Sequence, residues 1–142
     1  MFMKVGILVD LTLLVVLGIA PALHGTEAEA VLKWHTYAGS SVDDDGEGVA
    51  VDPSGNVYLA GWSDATWGNP IHPHSGGRDV FVAKLNRSGG LEWNTFMGSA
   101  NEDAAEAIAV DSSGNVYVVG TSTAPWCFRG GAITESCGST HS

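Results

Sequence analysis

Hydrophobic residues occur in short runs along most of this chain, and glycine, asparagine, aspartate and serine separate the runs. Residues 79–85 read DVFVAKL, and residues 91–97 read LEWNTFM. Runs of this length, rich in β-branched and aromatic residues and bounded by turn residues, are typical of β-strands. No segment after residue 30 has a helical period, so the pattern predicts an all-β protein.

One run of twelve residues is written twice. AVDPSGNVYLAG at 50–61 returns as AVDSSGNVYVVG at 109–120, and a shift of 59 residues aligns 34–67 with 93–126 without a gap. Of these 34 pairs, 18 are identical, so the chain contains a duplicated unit. The identical positions assigned to the structure of the repeat are Trp34, Asp52, Gly55, Asn56 and Gly61, with their counterparts Trp93, Asp111, Gly114, Asn115 and Gly120.

The junction inside the copied run predicts a tight hairpin. Asp52 can cap a turn through its side chain, Gly55 accepts a positive φ, and Asn56 tolerates one. With the strands at 79–85 and 91–97, each unit is expected to be a meander of four antiparallel strands.

The strand at 79–85 is apolar on both faces. Alternation places Val80 and Val82 on one face and Phe81, Ala83 and Leu85 on the other. A sheet with two apolar faces must be covered on both sides. Four-stranded units that repeat and stack in this way predict β-propeller blades.

Three stretches resemble the SBBP-type β-propeller repeat of secreted bacterial proteins. They are WHTYAGSSVDDDGEGVAVDPSGNVYLAGWS, WNTFMGSANEDAAEAIAVDSSGNVYVVGTS and the connecting GGRDVFVAKLNRSGGLEW. The NHL-type repeat, whose blades begin with an A-V-D-x-x-G-N-x-Y hairpin, is a weaker relative. The resemblance covers about residues 32–126 and implies a fold and export, but it carries over no catalytic residues.

The predicted array is incomplete. The repeat region is placed at 31–126, with a full blade at about 47–97, which amounts to about one and three-quarter blades, whereas a closed propeller has at least about four. Apolar faces and strand edges would remain exposed. We therefore expect the chain to be a fragment of a longer propeller, or to associate with further blades or with copies of itself.

The first thirty residues are predicted to be a secretory signal peptide. Lys4 precedes an apolar run at 5–20, Pro21 follows the run, and Ala28-Glu29-Ala30 provides small residues for cleavage after Ala30. Asp10 interrupts the run, and an uncleaved anchor is the alternative. The segment predicts export to the periplasm, the cell surface or the medium, and it is the only predicted contact with a membrane.

Charge and cysteine content narrow the range of partners. Six Lys and Arg face sixteen Asp and Glu, for a net charge of −10, which argues against nucleic acid because that partner needs clustered basic residues. Cys127 and Cys137 lie in a Gly/Ser-rich tail at 127–142. In an oxidising compartment these two cysteines are expected to form a disulfide.

An acidic cluster near residue 45 has the residue types of a calcium site. Asp43, Asp44, Asp45 and Glu47 offer carboxylates, which are the ligands that calcium prefers. Their spacing is not that of an EF-hand loop, and the second copy keeps only Glu102-Asp103. Turn capping is the simpler interpretation.

The other candidate ligand-binding residues are Trp62 and three residues of the loop that follows it at 63–77, namely Trp67, His72 and His74. His72 and His74 suggest zinc, but no third ligand is evident, and no metal or other cofactor is predicted. Trp67 recurs as Trp126, whereas Trp62 corresponds to Thr121. Trp62 is therefore the best candidate for an exposed aromatic ring that stacks on a glycan.

These observations favour a structural or binding module, with a protein or glycan ligand, over an enzyme. The alternative is a hydrolase or lyase on a propeller scaffold. Its acid–base candidates would be Asp44, Asp103, Glu47 and Glu106. That alternative requires Asp44 or Asp103 to line a concave site.

Overall fold

Eight β-strands make up the described part of the chain. A computed structural model describes residues 15–22 and 29–124, with side chains from residue 32 onward. The strands are β1 (Val15–Ala22), β2 (Glu29–Tyr37), β3 (Asp44–Val51), β4 (Val57–Ser63), β5 (Asp79–Leu85), β6 (Leu91–Met97), β7 (Asp103–Val110) and β8 (Val116–Ser122). These ranges contain no helix, so the all-β prediction is confirmed, and they contain no helix that could span a membrane.

The strands pair in chain order in three antiparallel sheets. β3, β4, β5 and β6 form a four-stranded meander, β1 pairs with β2, and β7 pairs with β8. The blade of four antiparallel strands and the incomplete array are therefore confirmed. β3 begins at Asp44, three residues before the expected start of the full blade.

β1 lies inside the segment that the sequence predicts to be a signal peptide. It pairs with β2 from Val15 opposite Tyr37 to Ala22 opposite Glu29. The signal peptide stays a prediction. Cleavage after Ala30 would remove β1 and the first two residues of β2.

Several sequence predictions concern residues outside the described ranges. Trp126, Cys127 and Cys137 lie there, so the disulfide remains a prediction. Residues 1–14 and 23–28 of the predicted leader also lie outside these ranges.

Three hairpin turns share one hydrogen-bond pattern. Asp52 Oδ1 accepts the backbone N–H groups of Ser54 and Asn56, each at 2.9 Å. The same two bonds, to the residues two and four positions on, are accepted by Asp111 and by Asn86. A side-chain oxygen thus satisfies turn N–H groups that lack a partner in the strand ladder.

Each of these turns uses glycine where the backbone needs a positive φ. The angle is 84° at Gly55, 84° at Gly89 and 85° at Gly114. Asn56 does not use its tolerance for this region, because every positive φ in the described ranges belongs to a glycine. Its side-chain amide instead donates to Asp52 Oδ2 at 2.7 Å.

The sheet β3–β6, the central blade, is apolar on both faces, as the alternation in β5 predicts. One core cluster contains Phe81, Ala83 and Leu85, and the other contains Val80 and Val82. Each set is joined by residues from the neighbouring strands of the blade. Burial of both sets is the main favourable contribution that this blade makes to folding.

Neighbouring elements cover the two faces. Trp34 of β2 packs against the Phe81 face, while Ala105 and Ile108 of β7 pack against the Val82 face. The Trp34 indole also donates to the carbonyl of Arg87, at 3.0 Å, in the turn between β5 and β6. The central blade therefore lies between parts of two other blades, as in a propeller.

Candidate functional site

A recurring turn precedes three of the strands, β3, β5 and β7. A serine four residues before an aspartate donates both its backbone N–H and its hydroxyl to the Oδ2 atom of that aspartate. The three pairs are Ser40 with Asp44, Ser75 with Asp79, and Ser99 with Asp103, with distances between 2.6 and 3.0 Å. The carboxylates therefore fix the loops that precede these strands.

Asp44 belongs to the acidic cluster that the sequence suggested for calcium. Its Oδ2 is occupied by Ser40, and its Oδ1 accepts the Ser63 hydroxyl from β4. The structure thus places this carboxylate in the turn and across two strands. Glu47 is exposed and lies at a bulge in β3, where the register with β4 shifts.

Asp79 and Asp103 are buried close to each other. Both approach Gly98, where a Cβ would lie 2.5 Å from Asp79 Oδ1 and 2.9 Å from Asp103 Oδ2. The Oδ1 atom of each aspartate has no hydrogen-bond partner. Within the described ranges no group of three or more His, Cys, Asp or Glu residues could hold a metal ion.

The acid–base candidates have separate structural positions in the described part of the chain. Asp103 is only 1% exposed and is bonded to Ser99. Glu106 lies at the bulge of β7, as Glu47 does in β3, and both side chains are exposed. The structure thus uses Asp103 to fix a turn and places Glu47 and Glu106 at strand bulges.

The loop at 64–78 is the long connection of the central blade, and a buried tryptophan holds it. Trp67 packs edge-on against Phe81 and Phe96, with ring centroids 5.3 and 5.8 Å away. The Asn94 side-chain amide donates to the Trp67 carbonyl at 2.8 Å. Trp67, a candidate ligand residue by sequence, is therefore used inside the core.

The same loop also bonds to the outer edge of the blade. The Ile71 N–H donates to the carbonyl of Asn94, and the Phe96 N–H donates to the carbonyl of His72. These bonds extend the ladder of β6 and cover part of its edge. Ile71 itself remains 63% exposed, so the fixed loop presents an apolar side chain to solvent.

The two histidines of the loop make different contacts. The His74 ring packs edge-on against Phe96 with centroids 5.9 Å apart, and its Nε2 is buried without a hydrogen-bond partner. His72 takes part in the backbone pairing with β6. In the described ranges neither belongs to a group of metal ligands.

Trp62 is half-buried at the end of β4, and an arginine lies over its ring. The Arg78 guanidinium carbon is 3.6 Å from the ring centroid. Arg78 Nε also lies 3.5 Å from Asp64 and 3.4 Å from Glu102, which precedes β7. We call Trp62, Asp64, Arg78 and Glu102 the Trp62–Arg78 cluster. It joins the central blade to the next one and leaves charged groups of both signs at the surface.

Sequence reasoning missed two parts of this surface. Ser75 and Asp79 have the same spacing as Ser40 and Asp44, and this spacing is a signal that could have revealed the third turn. Arg78 carries no such signal. Its partners come from a neighbouring strand and from the next blade, so only the fold brings them together.

Hydrogen bonds within the hairpin turns stabilise the ionised form of two aspartates. The pKa of Asp52 lies below its ordinary value, chiefly because the Asn56 side-chain amide bonds to the ionised form. The pKa of Asp111 is lowered in the same way by Asn115. Because both copies show the shift, it is a property of the repeat turn and does not mark a catalytic group.

Comparison with known proteins identifies the repeat. The model of a β-propeller repeat family, SBBP, matches residues 33–69 and 98–125. These two segments contain both copies of the hairpin and both of the serine–aspartate turns that precede β3 and β7. No curated protein matches the chain.

Proposed function

Because the chain belongs to the SBBP β-propeller repeat family, we propose that it is a binding module whose ligand contacts the loop at 64–78. The main support for this proposal is the difference between this loop and the hairpin turns. The three hairpins repeat one local bonding pattern, whereas this loop is longer, has its own sequence and is fixed by Trp67. Binding residues commonly lie on loops that a rigid scaffold positions.

The chemistry of the surface supports a protein or glycan ligand. Ile71 offers an exposed apolar side chain, and the Trp62–Arg78 cluster offers an aromatic edge, a guanidinium and two carboxylates. Arg78 lies over one face of the Trp62 ring, so a sugar would have to stack on the other face or displace the guanidinium. This arrangement favours a protein over a glycan as the first candidate ligand.

The loop is testable by co-sedimentation of the purified chain with washed cell envelopes of the producing organism. We expect the unmodified protein to sediment, and Ile71→Asp to reduce the bound fraction at least about tenfold by placing a charge in an apolar contact. Leu91→Asp is the matched control, because Leu91 is also exposed and the variant carries the same charge, yet it lies at the start of β6. Equal retention of the two variants would refute the assignment of the loop.

Treatment of the envelopes separates the two ligand classes. Protease should abolish binding to a protein ligand, whereas periodate, which cleaves the vicinal diols of sugars, should abolish binding to a glycan. If periodate abolishes binding and protease does not, the ligand is a glycan rather than a protein. Failure of the unmodified chain to sediment with any of these envelopes would contradict the binding proposal.

We also propose that the module acts outside the cytoplasm. The support is the pattern of residues 1–30, with a short basic start, an apolar run and small residues after it. A C-terminally tagged full chain should appear in the envelope or extracellular fraction, and deletion of residues 5–20 should leave it in the cytoplasm. Equal distribution of the two forms would contradict the proposal.

A further inference from the structure

The two ends of the strand array expose the residues that its middle buries. Tyr58 and Ala60 of β4 are 3% and 0% exposed, whereas Tyr117 and Val119, at the same positions of β8, are 59% and 61% exposed. Among the described residues no strand pairs with the outer side of β8, while β4 has β5 there. In the part of the chain that the structure describes, the second copy of the repeat thus has neither a third strand nor a following blade.

At the other end, the first inner strand lacks a cover on one side. Val49 and Val51 of β3 are exposed, although Ile108, which corresponds to Val49, packs against the central blade. The Ile108 side chain approaches Gly48 so closely that a Cβ there would lie 3.0 Å from it. Within the chain, β7 packs against the β4 face of the central blade. The surfaces equivalent to these two, on β3 at one end and on β8 at the other, are exposed.

The strand pair β1–β2 has the register of the outer pair β5–β6. Gly18 lies opposite Trp34 and the register shifts immediately after Gly18; likewise Lys84 lies opposite Trp93 and the register shifts immediately after Lys84. Such a bulge at the same place identifies β1 as a third strand and β2 as a fourth strand. β7 and β8 correspond to a first and a second strand.

The described strands therefore amount to two blades cut into complementary parts. The outer half of one blade precedes the complete central blade, and the inner half of another follows it. Within one chain these halves cannot join, because β2 packs on the Phe81 face of the central blade and β7 packs on its Val82 face. A second copy can supply the missing half at each end.

We infer that copies of the full chain join head to tail, with β8 of one copy pairing antiparallel with β1 of the next. The pairing of β4 with β5 gives the register, in which Val119 lies opposite Val16 as Ala60 lies opposite Val82. The joint forms a four-stranded blade from two chains. It also brings Tyr117 and Val119 against the central blade of the next copy.

This joint can close into a ring. Each copy contributes two blades, and propellers typically have about four to eight, so two to four copies make a closed assembly. Closure leaves no half blade without its partner, whereas an open chain of copies keeps one unpaired half blade at each end. The inference concerns the chain that keeps residues 15–22, because cleavage after Ala30 removes β1.

The mass of the assembly tests the inference. In sedimentation equilibrium we expect the full chain, at 14.7 kDa per copy, to give one discrete mass of two, three or four copies. A chain that starts at Val31 should lose that mass, because it lacks β1. A monomeric full chain, an aggregate without a defined mass, or the same mass for both chains would each overturn the inference.

Cross-linking tests the register without relying on the truncated chain. In a background with Cys127→Ser and Cys137→Ser, a mixture of Val16→Cys and Val119→Cys chains should form an interchain disulfide, since directly opposed residues have suitable Cα separations. The control is a mixture of Val16→Cys and Val118→Cys chains. The side chain at position 118 lies on the other face of β8, so this mixture should cross-link at least about tenfold less. Equal yields for the two mixtures, or none for either, would refute the proposed joint.

Discussion

Gly61→Ala should destabilise the central blade more than any other single methyl group added to it. A Cβ at this position would collide with the carbonyl oxygen of Asp45 and lie 3.0 Å from the Cα of Gly46. Both obstacles are backbone atoms next to the bulge at Glu47, so neither can move by a change of rotamer. We expect a loss of about 3 kcal/mol, a large fraction of the stability of a domain this size, measured as a lower midpoint of urea unfolding.

Gly55→Ala is the matched control, because it adds the same methyl group to a glycine that has space. The nearest atom to a Cβ at Gly55 is the Cβ of Arg87 at 3.6 Å, so only the positive φ of 84° opposes the change. That strain is worth about 1–2 kcal/mol. If the two variants shift the midpoint equally, close backbone approach is not the reason for glycine at position 61.

The hairpins were predictable because their chemistry is local. Asp52 and Gly55 are three residues apart, and the bonds they make fall within the same turn. The alternation in β5 was also sufficient to assign Phe81 and Val82 to opposite faces. These features need no information about distant parts of the chain.

β1 could not be recognised from its sequence. Its residues VVLGI occupy the register of FVAKL in β5, but they precede them by 66 residues, whereas the copies of the repeat are 59 apart. An ungapped comparison therefore passes over it. In addition, a signal peptide and a buried strand can both be short apolar runs. Hydrophobic periodicity does not distinguish the two.

The Trp62–Arg78 cluster escaped prediction for a different reason. Trp62 lies before the loop at 64–78, Arg78 is the last residue of that loop, and Glu102 lies just before the first strand of the next blade. Their proximity depends on the pairing of β4 with β5 and on the packing of β7. Sequence alone identified Trp62 as the aromatic residue that differs between the copies, but not the cation that lies over its ring.

Tyr58 and Tyr117 occupy equivalent positions in the two copies of the repeat, so each serves as a control for the other. Each hydroxyl donates to the aspartate of its hairpin, at 3.3 Å to Asp52 and 3.2 Å to Asp111. Only Tyr58 is buried, with its ring 6.3 Å from that of Trp93. Tyr58→Ala should therefore lower the free energy of unfolding by about 3 kcal/mol, because it leaves a cavity in the core.

Tyr117→Ala should cost less than about 1 kcal/mol when urea unfolding is measured at a protein concentration low enough for separate chains. At higher concentration the same variant should lower the fraction of chains in the assembly, since the joint between copies buries Tyr117. Replacement of either tyrosine by phenylalanine controls for the hydroxyl and should have a similar small effect at both positions. An equal loss of stability for the two alanine variants in separate chains would mean that Tyr117 is already covered in a single copy, and that the β8 surface is not free to receive another.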